Sequence, residues 1–200
     1  MSRADHYTFL VCETAEQIAA AQRLRYEVYC LEKGWIDPEK CDGETETDDC
    51  DEGAVHFLAL RDGFPVGTAR YLLASKCELP AARFLPLDRF DAEPEQIAEV
   101  SRLATLARHG RSQNPYVFIK MTLLMWEWAM ERSVKVWLAV VDVPLYHLIM
   151  RMGMPVIDVG EEAYYLGSRC VPMAFDMAGT GPALRRRLPA DERATVTAES

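Results

Sequence analysis

A mixed α/β fold, one central sheet covered by helices, is what the sequence predicts, on three observations. Strand-like and helix-like periodicities alternate along the 200 residues. One pair of neighbouring strands flanks an Asp62-Gly63 turn and is therefore antiparallel, while later strands are separated by helical stretches suited to crossovers. This length suits one domain with a full hydrophobic core, expected over residues 1–176, with a partly ordered C-terminal tail over 177–200.

In order, residues 7–12 are a short β-prone run, and Ile18, Ala21, Leu24, Val28 and Leu31 then mark one apolar helical face. From Gly34 to Gly53 the periodicity fails: Pro38 and Gly43 break structure, and Asp42, Glu44, Glu46, Asp48, Asp49, Asp51 and Glu52 make an acidic loop. Residues 55–60 and 65–73 form the hairpin, since Asp-Gly supplies the positive φ angles of its tight turn. A short helix is expected over 81–90 and a strand over 97–106, followed by a polar loop through Pro115. Ile119, Leu123, Trp126 and Met130 keep helical spacing, and residues 134–141 read as a buried central strand. Asp142 and Pro144 start another helix, which Gly153 ends. Strands follow at 156–159 and from 164 to 171 or 175. The predicted order is β-α-β-β-α-β-α-β-α-β-β.

Composition bounds the function. Half of the residues are hydrophobic and 26% are charged, the balance of a folded globular protein. Lys and Arg number 22 against 31 Asp and Glu, a net charge of −9, which argues against nucleic acid as a partner. No apolar run reaches membrane-span length, and residues 1–7 lack the apolar core of a signal peptide, so a cytoplasmic location is expected. The six cysteines contain no C-x-x-C pair and read as reduced thiols. His56, His109 and His147 form no metal-ligand motif, and no metal is expected. Of the methionines, 121, 125, 130, 150, 152, 154 and 173 suit either a core or an adaptable tunnel for an apolar chain.

Two charges in an otherwise apolar strand need a reason. In a regular strand Glu99 and Ser101 share one face and Arg102 takes the other, unless a bulge changes the parity. One account is an internal ion pair with Arg25, Arg70 or an acid of the 48–51 loop. The other is a substrate site built from a carboxylate and a guanidinium near a strand end. Tyr164 and Tyr165 fit either substrate contact or strand propensity.

Arg25, Tyr26, Val28, Tyr29, Cys30, Glu32 and Trp35, then Asp48 and Asp51, then Val66, Gly67, Thr68 and Arg70, Phe84, and finally Glu99, Val100, Ser101 and Arg102 form an ordered series. In that series the chain resembles, from about residue 20 to about 176, the acyl-homoserine-lactone (autoinducer) synthases and their relatives. The first string is most similar to the N-acyl amino acid synthases and the exosortase (PEP-CTERM) system-associated acyltransferases. The resemblance implies the GNAT acyltransferase fold, with splayed strands in its mixed sheet. It further implies transfer of an acyl group from a phosphopantetheine thioester, on acyl carrier protein or coenzyme A, to a primary amine.

The cleft implied by that fold opens between strands 97–106 and 134–141. Glu99 is the candidate base, with Ser101 and Arg102 beside it in the catalytic set. Leu103 and Thr105 are candidates for backbone oxyanion donors, and Arg108, Gly110 and Arg111 for the donor's phosphate. Gly110 alone stands where many GNAT loops carry G-x-G, which favours a carrier protein with its single phosphate. Arg25, Trp35, Asp48, Asp51, Arg70 and Phe84 complete the substrate-side set, with Arg70 or Arg102 suited to an acceptor carboxylate. Two rivals remain: a homoserine-lactone synthase using S-adenosylmethionine, and a non-catalytic module that binds acyl thioesters or their carrier.

Overall fold

In the computed structural model, which describes residues 6–106, 115–189 and 192, strand Tyr7–Val11 (β1) leads into helix Ala15–Tyr26 (α1). Strands Val55–Arg61 (β2), Phe64–Leu73 (β3) and Ile97–Thr105 (β4) follow. Helix Pro115–Met130 (α2), strand Val136–Asp142 (β5) and helix Val143–Arg151 (α3) come next. Strands Val156–Val159 (β6), Ala163–Tyr165 (β7) and Ser168–Asp176 (β8) precede helix Met177–Arg185 (α4). The eight strands form one sheet in the order β1-β2-β3-β4-β5-β8-β6, with β7 also on β8.

Asp62 and Gly63 take φ values of 51° and 85°, the positive pair that the β2–β3 hairpin requires. The antiparallel run β1–β4 is therefore a meander. The crossover through α2 then makes β4–β5 the one parallel pair among the described strands. That pairing lasts only from Ile97 opposite Val136 to Glu99 opposite Leu138, after which the two strands part. The sheet opens where the sequence places Glu99.

Helices cover both faces. Leu24 of α1 and, just beyond that helix, Val28 and Tyr29 pack against Ala104, while Val117 and Met121 of α2 lie over Gly67. An ideal Cβ on Gly67 would stand 2.8 Å from Val117 and 2.9 Å from Met121, so its missing side chain permits this close helix–sheet contact. Thr14 caps α1 reciprocally with Gln17: each backbone N–H is accepted by the other's side-chain oxygen. The chain then widens into a π-helical turn, Glu27–Glu32, which carries the backbone to Trp35.

Three expectations change. Residues 81–90 are not one helix but two 3-10 turns, Pro80–Arg83 and Leu87–Arg89, because Pro86 between them supplies no N–H. Arg102 does not take the face opposite Glu99. Arg102 and Leu103 together oppose Ala69, a bulge in which Arg102 has φ 51°, and its guanidinium turns toward Asp48, which Arg70 also meets. Residues 177–185, assigned to the C-terminal tail, form the helix α4. Asp176 caps it by accepting from the Ala178 and Gly179 N–H groups, and Trp126 of α2 donates to the Met177 carbonyl at 2.8 Å.

Candidate active site

Where β4 and β5 part, a cleft of about 130 Å³ passes into the sheet. On the α2–α3 side its walls are apolar: Phe118, Trp137, Leu145, Ile149 and Met154. On the other side stand Tyr29, Trp35, Arg102 and Tyr165, with Glu99 and Ser101 along β4. Tyr29 and Trp35 are stacked, ring centres 5.6 Å apart, and the Tyr29 hydroxyl donates to the Leu103 carbonyl at 3.1 Å. The π-helical turn thus clamps an aromatic wall onto the open strand.

Glu99 is 1% exposed, and its Oε2 accepts the Ala81 N–H at 2.7 Å. No ion pair reaches it among the described residues. Burial pushes its pKa up to about 7, against the opposing pull of the Ala81 N–H and the more distant Arg70 and Arg102. A carboxyl group with that pKa gains and loses protons near neutrality.

Beside it the remaining charges form a closed network. Arg25 donates to Glu46 and, through both Nη atoms, to Asp51 at 2.7 and 3.0 Å. Arg70 donates to Asp48, to Asp51 at 2.9 Å and to the Ser101 hydroxyl at 3.2 Å. Arg102 donates to Glu46 at 3.0 Å and to Asp48 at 2.8 Å. Three guanidinium groups thus meet three carboxylates with no net charge. Burial would raise the carboxylates' pKa values, but their arginine partners overcome it and hold all three below the ordinary range.

The family model of the N-acyl amino acid synthase FeeM matches residues 20–176. The chain belongs to the FeeM family. Its fold agrees: FeeM from uncultured soil microbes superposes with a TM-score of 0.70 at 15% identity, covering 96% of this chain and 99% of that one. The acyl-homoserine-lactone synthase LasI gives 0.69 at 21% identity, over 90% and 95% of the two chains. The coenzyme A-dependent synthase BjaI, solved with SAM and isopentyl-CoA, gives 0.69 at 17%, over 92% and 89%. No curated protein sequence matches the chain. The protein is an N-acyltransferase with the mixed, splayed sheet of GNAT-like acyltransferases.

In this FeeM-family enzyme, Glu99, Ser101, Arg102, Leu103 and Trp35 line the cleft, as does Tyr165. Phe84 stands behind, edge-on to Tyr165 at 5.6 Å. Arg25, Asp48, Asp51 and Arg70 belong to the charge network and are not part of the cleft wall. Arg70 thus presents its fork to internal acids, and Arg102, which does line the cleft, commits Nε and Nη2 to Glu46 and Asp48. Thr105 pairs with Gly67 of β3 and does not line the cleft, because β4 follows β3 again at that point. Arg108, Gly110 and Arg111 lie outside the described residues. Among the methionines singled out, Met154 alone reaches the cleft, while Met121, Met125 and Met173 are core. Among the described residues no cluster of His, Cys, Asp and Glu suited to a metal is found, and no helix is long and apolar enough to cross a membrane. Sequence reasoning missed Glu46, whose position amid alternating acids gives no sign that it joins Arg25 to Arg102.

Proposed function

We propose that this FeeM-family enzyme transfers a fatty acyl group from a phosphopantetheine thioester to the amine of an amino acid, with Glu99 as the base. The observation that carries the reading is the buried Glu99 carboxyl, pKa about 7, at the point where the parallel strands part. The amine is largely protonated near neutral pH, so attack needs a group that accepts protons there. Glu99 accepts the ammonium proton, the neutral nitrogen attacks the thioester carbonyl, and the adduct's N–H supplies the proton for the departing sulfur. The C–S bond then breaks, and the departing sulfur takes up that proton as a thiol. Past Glu99, β4 has no β5 partner, so its backbone from Val100 to Leu103 is open to the developing oxyanion. The apolar wall of Phe118, Leu145, Ile149 and Met154 suits the acyl chain.

The donor is acyl carrier protein or coenzyme A, and the reaction is placed in the cytoplasm, where both thioesters occur. The structure of BjaI with isopentyl-CoA supports a coenzyme A-type donor in this fold. The test is incubation with acyl-carrier protein and, separately, acyl-coenzyme A, each with a panel of amino acids and S-adenosylmethionine. Mass spectrometry is expected to find an N-acyl amino acid. A homoserine lactone product moves the enzyme to the autoinducer synthases, and retained donor without product makes it a binding module.

A further inference from the structure

An enzyme that acylates the amine of an amino acid also has a carboxylate to hold, one carbon from the reacting nitrogen. The guanidinium groups nearest Glu99 are taken. Arg25 and Arg70 are 0% exposed, and their forks are filled by Glu46, Asp48 and Asp51, while Arg102 holds Glu46 and Asp48 through Nε and Nη2. A substrate carboxylate bound there would displace an internal acid and leave it buried without its partner.

Two other cations each lie over an aromatic ring that lines the cleft. Lys33 Nζ lies 5.5 Å from the Trp35 ring centre, and Arg83 Cζ lies 5.9 Å from that of Tyr165. Arg83 is exposed, and among the described residues no carboxylate pairs with it. Position separates the two. Arg83 ends the 3-10 turn Pro80–Arg83, and the Ala81 N–H of that same turn holds Glu99. One rigid turn, begun by a proline, therefore fixes the base and carries a guanidinium two residues on. Tyr165 stands in the field of both: burial raises its hydroxyl pKa, and Arg102, Glu99 and Arg83 act on it in turn.

We propose that Arg83, stacked on Tyr165, binds the carboxylate of the amino-acid acceptor while the amine faces Glu99. A guanidinium offers the planar two-pronged contact that a carboxylate matches. The inference rests on the amino-acid acceptor proposed above. It predicts preference for carboxylates over otherwise identical amines.

The test compares kcat/KM for the common L-amino acids and their carboxamides with a fixed acyl donor. The wild type is expected to favour the acids by about 10²-fold, the scale of one charge-assisted hydrogen-bonded contact. Arg83→Ala should collapse that ratio through a higher KM for the acids, and Arg83→Lys should restore part of it. A thermal melt confirms the fold of each variant. A ratio that survives Arg83→Ala, a ratio near unity in the wild type, or a collapse in Lys33→Ala instead overturns the assignment. A wild type that acylates nothing in the panel overturns the amino-acid reading itself, and the assignment with it; product from the carboxamides keeps those two failures apart.

Discussion

Glu99 is the only acid of the central cluster that no arginine touches, and its chemistry follows from that. Glu99→Gln keeps the side chain's shape and its acceptor for the Ala81 N–H but removes proton acceptance. Turnover is expected to fall by about 10²-fold or more, with donor affinity little changed. In the wild type kcat/KM should rise with pH through about 7, and the variant should lose that limb. A folded variant with near-normal turnover would make Glu99 structural. Stability supplies a second check with a defined sign. Below the ordinary glutamate value of 4.5 both folded and unfolded chains hold the proton; from there to about 7 only the folded chain does. Stability is therefore full below 4.5 and lost as pH rises through that window, by on the order of 3 kcal/mol. Glutamine escapes the loss, so the melting temperature of Glu99→Gln relative to wild type should rise between pH 4.5 and 8. A constant difference would show an ordinary carboxyl. Glu46, Asp48 and Asp51 act with the opposite sign: their arginines lower their pKa values, so their stabilisation is present above the unfolded values and is lost on acidification.

The π-helical turn and the β7–β8 hairpin meet over the cleft, and Gly167 is the point of contact. It takes φ +76°, and a Cβ there would come within 2.4 Å of the Trp35 carbonyl oxygen and 2.6 Å of its Cα. Backbone cannot yield as a flexible side chain can, so Gly167→Ala should push the Trp35 segment off the cleft. Lower turnover and altered tryptophan fluorescence are expected, with a stability cost of about 1–3 kcal/mol. Unchanged fluorescence and activity would show that the two segments are not coupled. Regular elements such as the hairpin were legible because Asp62-Gly63 encodes its turn locally. The 81–90 segment breaks into two turns because Pro86, a single residue among helix-compatible neighbours, interrupts it. The bulge at Arg102 was legible only as a possibility of changed parity, since an ion pair with Glu46, 56 residues away, decides which way the side chain turns.

The C-terminal segment closes the core. Leu184 and Leu188 are buried against Leu123 of α2, and the Trp126 ring occupies the space beside Gly181, where a Cβ would come within 2.4 Å. Removing residues 181–200 would expose this face, and with about 1.5–3 kcal/mol for each leucine a loss of about 3–6 kcal/mol is expected. Urea or thermal unfolding of the truncated chain measures it; an unchanged midpoint would show that the segment contributes nothing. The hairpin, the acidic loop and the alternation of strands with crossover helices could be read from the residues, because periodicity and turn chemistry are local. Only the tertiary structure decided that Arg70 and Arg102 face inward to Glu46, Asp48 and Asp51 while Glu99 stands apart, because the partner of a buried charge is chosen by distance in space. The same reason separates α4 from its sequence: glycine and proline disfavour a helix in isolation, and the packing of Leu184 and Gly181 on α2 overrides them.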